Sequence, residues 1–90
     1  MAQLLKADGT NEQVKPANGG KFSLKEMQAY VGGYVQSIRM GASVMLVDED
    51  GKMRGSPVNE QATEILHQAG GSLRDVVVGD ALIVPLSEMD

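Results

Sequence analysis

The residues best suited to chemistry lie in one run, Tyr30-Val31-Gly32-Gly33-Tyr34. Paired glycines let backbone amides approach a phosphate, as in a glycine nest. The same pair can simply end a helix and begin a bend. Tyr30 and Tyr34 offer faces on which a base can stack, with Arg39 or Arg54 near its phosphates. Alternatively, a ring fills the core, because aromatic side chains dominate burial where they are few. Ser56, Asn59 and Thr63 form a second constellation, with Asn59 and Thr63 one helical turn apart. They can line an anion or ribose site at a helix start, or serve as an ordinary N-cap with a flanking threonine. The candidate ligand-binding set is Gly33, Tyr34, Gln36, Arg39, Arg54, Ser56, Asn59 and Thr63.

Other chemistries lack their parts. Asp48-Glu49-Asp50-Gly51 is acidic, but an EF-hand loop needs oxygen ligands at further positions and glycine at its sixth. A hairpin turn fits these residues better. His67 has no second histidine or cysteine at ligand spacing, so no metal is expected. No nucleophile elbow surrounds any serine. No catalytic residue and no cofactor is nominated, and the chain is read as a non-enzyme.

The elements that must position these residues follow from pattern. Ala2–Ala7 and Thr10–Pro16 read as a hairpin about Asp8-Gly9, with Pro16 ending an edge strand. Ser23-Leu24-Lys25-Glu26 matches a capping box. Leu24, Met27 and Val31 then recur at helical spacing, up to Gly32-Gly33. Tyr34–Met40 and Ser43–Val47 read as strands around a type II′ turn at Gly41-Ala42. Ser43–Val47 is apolar on both faces, so it belongs inside a sheet or under a partner. Lys52–Arg54 is a candidate return strand. Asn59 caps a second helix with Ala62, Ile65, Leu66 and Ala69 as its stripe, ended by Gly70-Gly71. Leu73–Val78 leads to Gly79-Asp80, and Ala81–Val84 is a last strand stopped by Pro85. The expected fold is α+β, in the order ββ-α-ββ(β)-α-β(β). Its mainly antiparallel sheet carries two short helices on one face. Residues 1–90 make a single domain: an N-terminal hairpin at 1–16, a core at 24–84 and a frayed tail at 86–90.

The chain has 90 residues, no cysteine and a formal charge of -4. A domain this small buries only about 60–65% of its unfolded surface. Without disulfides or zinc, association is the remaining common source of buried area. Val44, Leu46, Val76, Val78, Leu82 and Val84 exceed what two short helices readily cover, so a homo-oligomer is expected. Lys6, Lys15, Lys21 and Lys25 are dispersed, which argues against nucleic acid. No apolar run approaches the length of a membrane span. The start lacks a basic and apolar leader pattern, so no signal peptide is expected, and the absence of cysteine fits a reducing cytoplasm.

Four stretches in order carry a resemblance: Tyr-Val-Gly-Gly-Tyr-Val from Tyr30, Val-Asp-Glu-Asp-Gly from Val47, Pro-Val-Asn-Glu-Gln-Ala-Thr from Pro57, and Val-Gly-Asp-Ala-Leu-Ile-Val from Val78. Over Leu24–Val84 the chain resembles a family of small uncharacterised domains encoded by bacteriophages, prophages and bacterial mobile elements. The resemblance implies an accessory protein acting in the host cytoplasm and supplies no activity. By analogy with other small phage domains, the first expectation is a homo-oligomeric counter-defence sponge that sequesters a cyclic nucleotide or related immune signal. The alternative is a module that inhibits a host protein by strand addition or through its acidic turn. An enzyme acting on nucleotides is the third.

Overall fold

The computed structural model describes residues 1–70 and 76–89. Five strands form one antiparallel sheet: β1 (Ala2–Leu5), β2 (Asn11–Val14), β3 (Val35–Met40), β4 (Ser43–Asp48) and β5 (Ala81–Pro85). Their order across the sheet is β2-β1-β5-β4-β3. Two helices, α1 (Leu24–Val31) and α2 (Glu60–Gln68), complete the α+β fold. The β3–β4 hairpin turns at Gly41, whose φ of 68° is left-handed, while among the described residues no non-glycine has a positive φ. That combination fits the type II′ expectation for Gly41-Ala42.

The helices differ from expectation in placement: they lie on opposite faces of the sheet. Ala2, Leu4, Val44, Leu46, Leu82 and Val84 pack with Met27 and Val31 of α1. Leu5, Met45, Val47 and Ala81 pack with Ala62 and Leu66 of α2. The reason lies in β1, β4 and β5. Alternate side chains point to opposite faces, and these strands are apolar at both parities. Each face therefore needs its own cover, and one helix supplies each. Val44, Leu46, Leu82 and Val84, named as a surplus that a second copy would bury, are already buried within a single chain.

α1 begins at a full capping box. The Glu26 N–H donates to the Ser23 hydroxyl at 3.2 Å, and the Ser23 N–H donates to the Glu26 carboxylate at 3.1 Å. The Ala17 N–H donates to the same carboxylate at 2.8 Å, drawing in the loop after β2. These backbone donors, Ala17 first, hold the Glu26 carboxyl below its ordinary range. Asp8 is lowered likewise, chiefly by the Thr10 hydroxyl. A depressed carboxyl adds stability above its unfolded pKa and loses it as pH falls through the folded value. For Glu26 that window opens at the ordinary value of 4.5 and extends downward. Thermal midpoints of wild type and Glu26→Gln are therefore expected to converge as the pH is lowered through it. Ser23→Ala is expected to cost about 1 kcal/mol at neutral pH.

Two other expectations are corrected. Lys52–Arg54 is turn, not strand: Arg54 N–H donates to the Asp50 carbonyl and Gly55 N–H to that of Lys52, each within a tight turn. The tail expected to fray is docked. Leu86–Glu88 forms a 3-10 turn, the Phe22 N–H donates to the Glu88 carbonyl at 2.8 Å, and Phe22 bridges Met89. Gly71 as a helix end, the start of Leu73–Val78 and Asp90 lie outside the described residues. Among the described residues, no helix is long and apolar enough to cross a membrane.

Candidate functional site

The two glycines after α1 do different work. Gly32 is the left-handed C-cap, with φ 87°. Gly33 has ordinary backbone but no room for a side chain: a Cβ there would stand 2.8 Å from Arg54 Nη2 and 3.1 Å from Asp48 Oδ1. Both glycine N–H groups donate to the Gln28 carbonyl, at 2.8 and 3.2 Å. They close the helix, and the nest reading loses its donors. Gly33 instead admits an ion pair, formed by the half-exposed Arg54 guanidinium and the nearly buried Asp48 carboxylate. The Asp50 N–H donates to the same carboxylate at 2.9 Å. Gly33→Ala has to displace this pair. Arg54 is long enough to move aside, but Asp48 is buried and held. A loss of about 1–2 kcal/mol is expected for such overpacking, read as a lower denaturant midpoint.

Around that pair lies a cleft of ≈ 320 Å³ lined by Gln28, Gly33, Tyr34, Asp50 and Arg54. Tyr34 is 68% exposed, whereas Phe22 is fully buried. Phe22 and Tyr30 meet edge to face, ring centroids 6.4 Å apart. The rings thus divide: Phe22, supported by Tyr30, serves the core, and Tyr34 faces solvent.

A second cleft, of ≈ 330 Å³, lies between β3, the turn after β4 and α2. Ile38, Val47, Leu66 and three valines, Val76, Val77 and Val78, line it, along with Gln36, Asp48, Glu49 and Lys52. Asp48 stands between the two clefts.

The remaining nominated residues are elsewhere. Arg39 lies toward the far end of β3, where its Nε donates to the Gly41 carbonyl. At about 3.3 Å per residue that is roughly 17 Å along the strand from Tyr34. Asn59 is fully buried. Its Nδ2 donates to the Leu5 and Gly79 carbonyls at 2.8 and 2.9 Å, and its Oδ1 accepts from the Ala62 N–H at 3.1 Å. The Thr63 hydroxyl accepts from the Val77 N–H at 2.9 Å. The Ser56 N–H donates to the Gly51 carbonyl, and its side chain lies against Gly79. The Ser56, Asn59 and Thr63 constellation therefore fastens α2 and the 76–79 segment to the sheet. In a single chain the eight nominated residues do not form one pocket: Gly33, Tyr34 and Arg54 share one, and Gln36 lines its neighbour.

Sequence reasoning did not nominate Gln28 or Asp50. Gln28 had a usable signal, since it precedes the first capping glycine by four residues and so lies near it on the helix. Asp50 was read only as a turn residue. Among the described residues, no group of three or more His, Cys, Asp or Glu is placed to hold a metal ion.

The architecture and its clefts define a small α+β domain: one antiparallel sheet covered by a helix on each face, with two open clefts beside its β3 edge. The chain belongs to the family described as Domain of unknown function (DUF3846), whose model matches residues 2–90. The match takes in the N-terminal hairpin, which lies outside the stretch that carries the sequence resemblance. Neither the curated proteins nor the solved structures provide a match.

Proposed function

We propose that this domain acts by binding rather than by catalysis, and that the Tyr34 cleft holds a small nucleotide-type signal. One observation carries the reading: an outward tyrosine ring and a half-exposed guanidinium line the same cleft. Tyr34 offers a face for a base. Arg54, partly neutralised by Asp48, directs its open side toward a phosphate. Asp50 accepts from base or ribose donors, so a carboxylate here suits a ligand that carries ring N–H groups as well as an anion. Joined to the resemblance to phage and mobile-element domains, this describes a counter-defence protein of the host cytoplasm that lowers the free concentration of a cyclic nucleotide.

Calorimetric titration with cyclic dinucleotides and cyclic ADP-ribose isomers tests the proposal. Saturable heat that Tyr34→Ala and Arg54→Ala each abolish is the expected result. Flat traces across the panel remove it. Mass spectrometry of the released ligand separates binding from turnover, since a binder returns the molecule unchanged.

A second reading rests on the other cleft. Its apolar residues, flanked by the exposed carboxylate of Glu49, suit direct inhibition of a host protein. It predicts a host protein that co-purifies with the wild type and is lost from Ile38→Lys, with no nucleotide bound.

A further inference from the structure

We propose that two copies of this chain pair antiparallel along β3, and that Arg39 of the second copy completes the Tyr34 cleft. The second clause rests on the nucleotide reading above; the first does not.

β3 is a terminal strand of the sheet, six residues long and without proline or glycine. Its ladder phase follows from one bond beyond its start, where the Tyr34 carbonyl accepts from the Glu49 N–H at 2.8 Å. Inward and outward backbone groups alternate in an antiparallel pair. Tyr34, Gln36, Ile38 and Met40 therefore bond to β4, while Val35, Ser37 and Arg39 turn their N–H and C=O groups to the outside. Among the described residues no backbone group pairs with them on that side, and an edge in this state is a template for another strand. The opposite edge is protected differently: β2 is short, its first three residues are polar and exposed, and Pro16 follows closely.

The pattern of charge selects a second copy. Arg39 is the only charged residue of β3, and it stands at the hairpin end. The other end adjoins Asp48, Glu49 and Asp50. A two-fold axis through Ser37 sets Val35 opposite Arg39 of the second copy, and Ser37 opposite its own mate. All three outward residues then pair, which no neighbouring register achieves. Each Arg39 arrives beside the other copy's acidic turn, one residue from Tyr34. Val35 in turn pairs with Asp48, so two inter-strand steps of about 5 Å separate the Arg39 and Asp48 Cα atoms, a span of about 10 Å that the two side chains bridge together. Parallel pairing in the same alignment would place arginine by arginine and acid by acid.

This pairing changes the chemistry of the cleft. In one chain, Arg54 pairs with Asp48 and shares its cleft with a second carboxylate, Asp50. The second copy's Arg39 balances them and places a second guanidinium where a phosphate would lie. The shared cleft thus suits a ligand with a base and more than one phosphate, such as a cyclic dinucleotide.

Sedimentation equilibrium of the full chain tests the pairing. Wild type is expected to be dimeric across the micromolar range; a monomer throughout overturns the proposal. Ser37→Pro removes an outward N–H that β4 does not use, so it is expected to give a folded monomer. A persistent dimer would place the interface elsewhere and overturn it. If Ser37→Pro does not fold, Arg39→Glu decides: the dimer weakens about tenfold and regains strength with Asp50→Arg, whereas an unchanged dimer overturns the pairing. Calorimetry with cyclic dinucleotides on wild type and Arg39→Glu tests the shared site. Binding lost in Arg39→Glu supports it, and equal binding overturns it. A silent wild type that is still dimeric removes the nucleotide reading and with it the shared site, and leaves the pairing intact.

Discussion

Asn59→Ala is expected to lower the unfolding free energy by about 3–5 kcal/mol, through the loss of three hydrogen bonds from one fully buried side chain, the α2 cap among them. The side chain is fully buried and joins three elements. Its Nδ2 reaches the Leu5 carbonyl at the end of β1 and the Gly79 carbonyl before β5, while its Oδ1 caps α2 through the Ala62 N–H. The backbone of the same residue donates to the Val77 carbonyl at 2.8 Å. Alanine occupies the backbone readily but cannot donate to the Leu5 or Gly79 carbonyl. For a domain of this size, total stability is only about 5–13 kcal/mol, so the variant approaches the unfolding threshold. Denaturant unfolding measures the effect as a lower midpoint. Asn59→Ser keeps the cap alone and is expected to recover about 1 kcal/mol. Recovery of full stability by serine would show that the two carbonyl bonds contribute nothing.

Phe22→Ala is expected to cost about 3–5 kcal/mol as well, from the cavity left by a large ring. Phe22 is fully buried among Leu4, Met27, Val31, Leu82 and Val84. It precedes the Ser23 cap by one residue, so its loss also loosens the start of α1. Its backbone holds the C-terminal 3-10 turn through Glu88 and Met89. Amide exchange separates the two consequences. Protection is expected to fall throughout the sheet, from lost global stability, and to fall further at the Phe22 and Met89 amides. Phe22→Leu keeps most of the apolar volume and is expected to lose less than half as much. Equal losses in the two variants would mean that ring volume is not what Phe22 supplies.

Much of the architecture is legible because its signals are local. The Ser23–Glu26 box and Gly32 set the ends of α1 within one turn of chain. Gly41 sets a two-residue turn, and with it the register of β3 against β4. The two-faced apolarity of Ser43–Val47 places β4 inside the sheet, where it lies between β5 and β3. The candidate site is less legible. Tyr34 and Arg54 are 20 residues apart, and they share a cleft only because Gly33 leaves space for the Asp48–Arg54 pair. Asn59 and Thr63 have the chemistry of a ligand site, but their partners at Leu5, Val77 and Gly79 come from distant parts of the chain. Asx and hydroxyl side chains look the same in sequence whether they face a ligand or a buried carbonyl.

The sequence alone determined the five strands, the two helices with their N-caps and the turn at Gly41, though not the turn at Lys52–Arg54 or the docked tail, because spacing along a helix or strand fixes which face a side chain takes. It also determined that both faces of the sheet had to be covered. Only the tertiary structure decided what covers them, placing α1 on one face and α2 on the other. Periodicity records that a surface is apolar, not which part of the chain comes to lie on it. That choice depends on contacts made across the whole fold, such as the bonds from Asn59 to Leu5 and Gly79, which seat the start of α2 on its face.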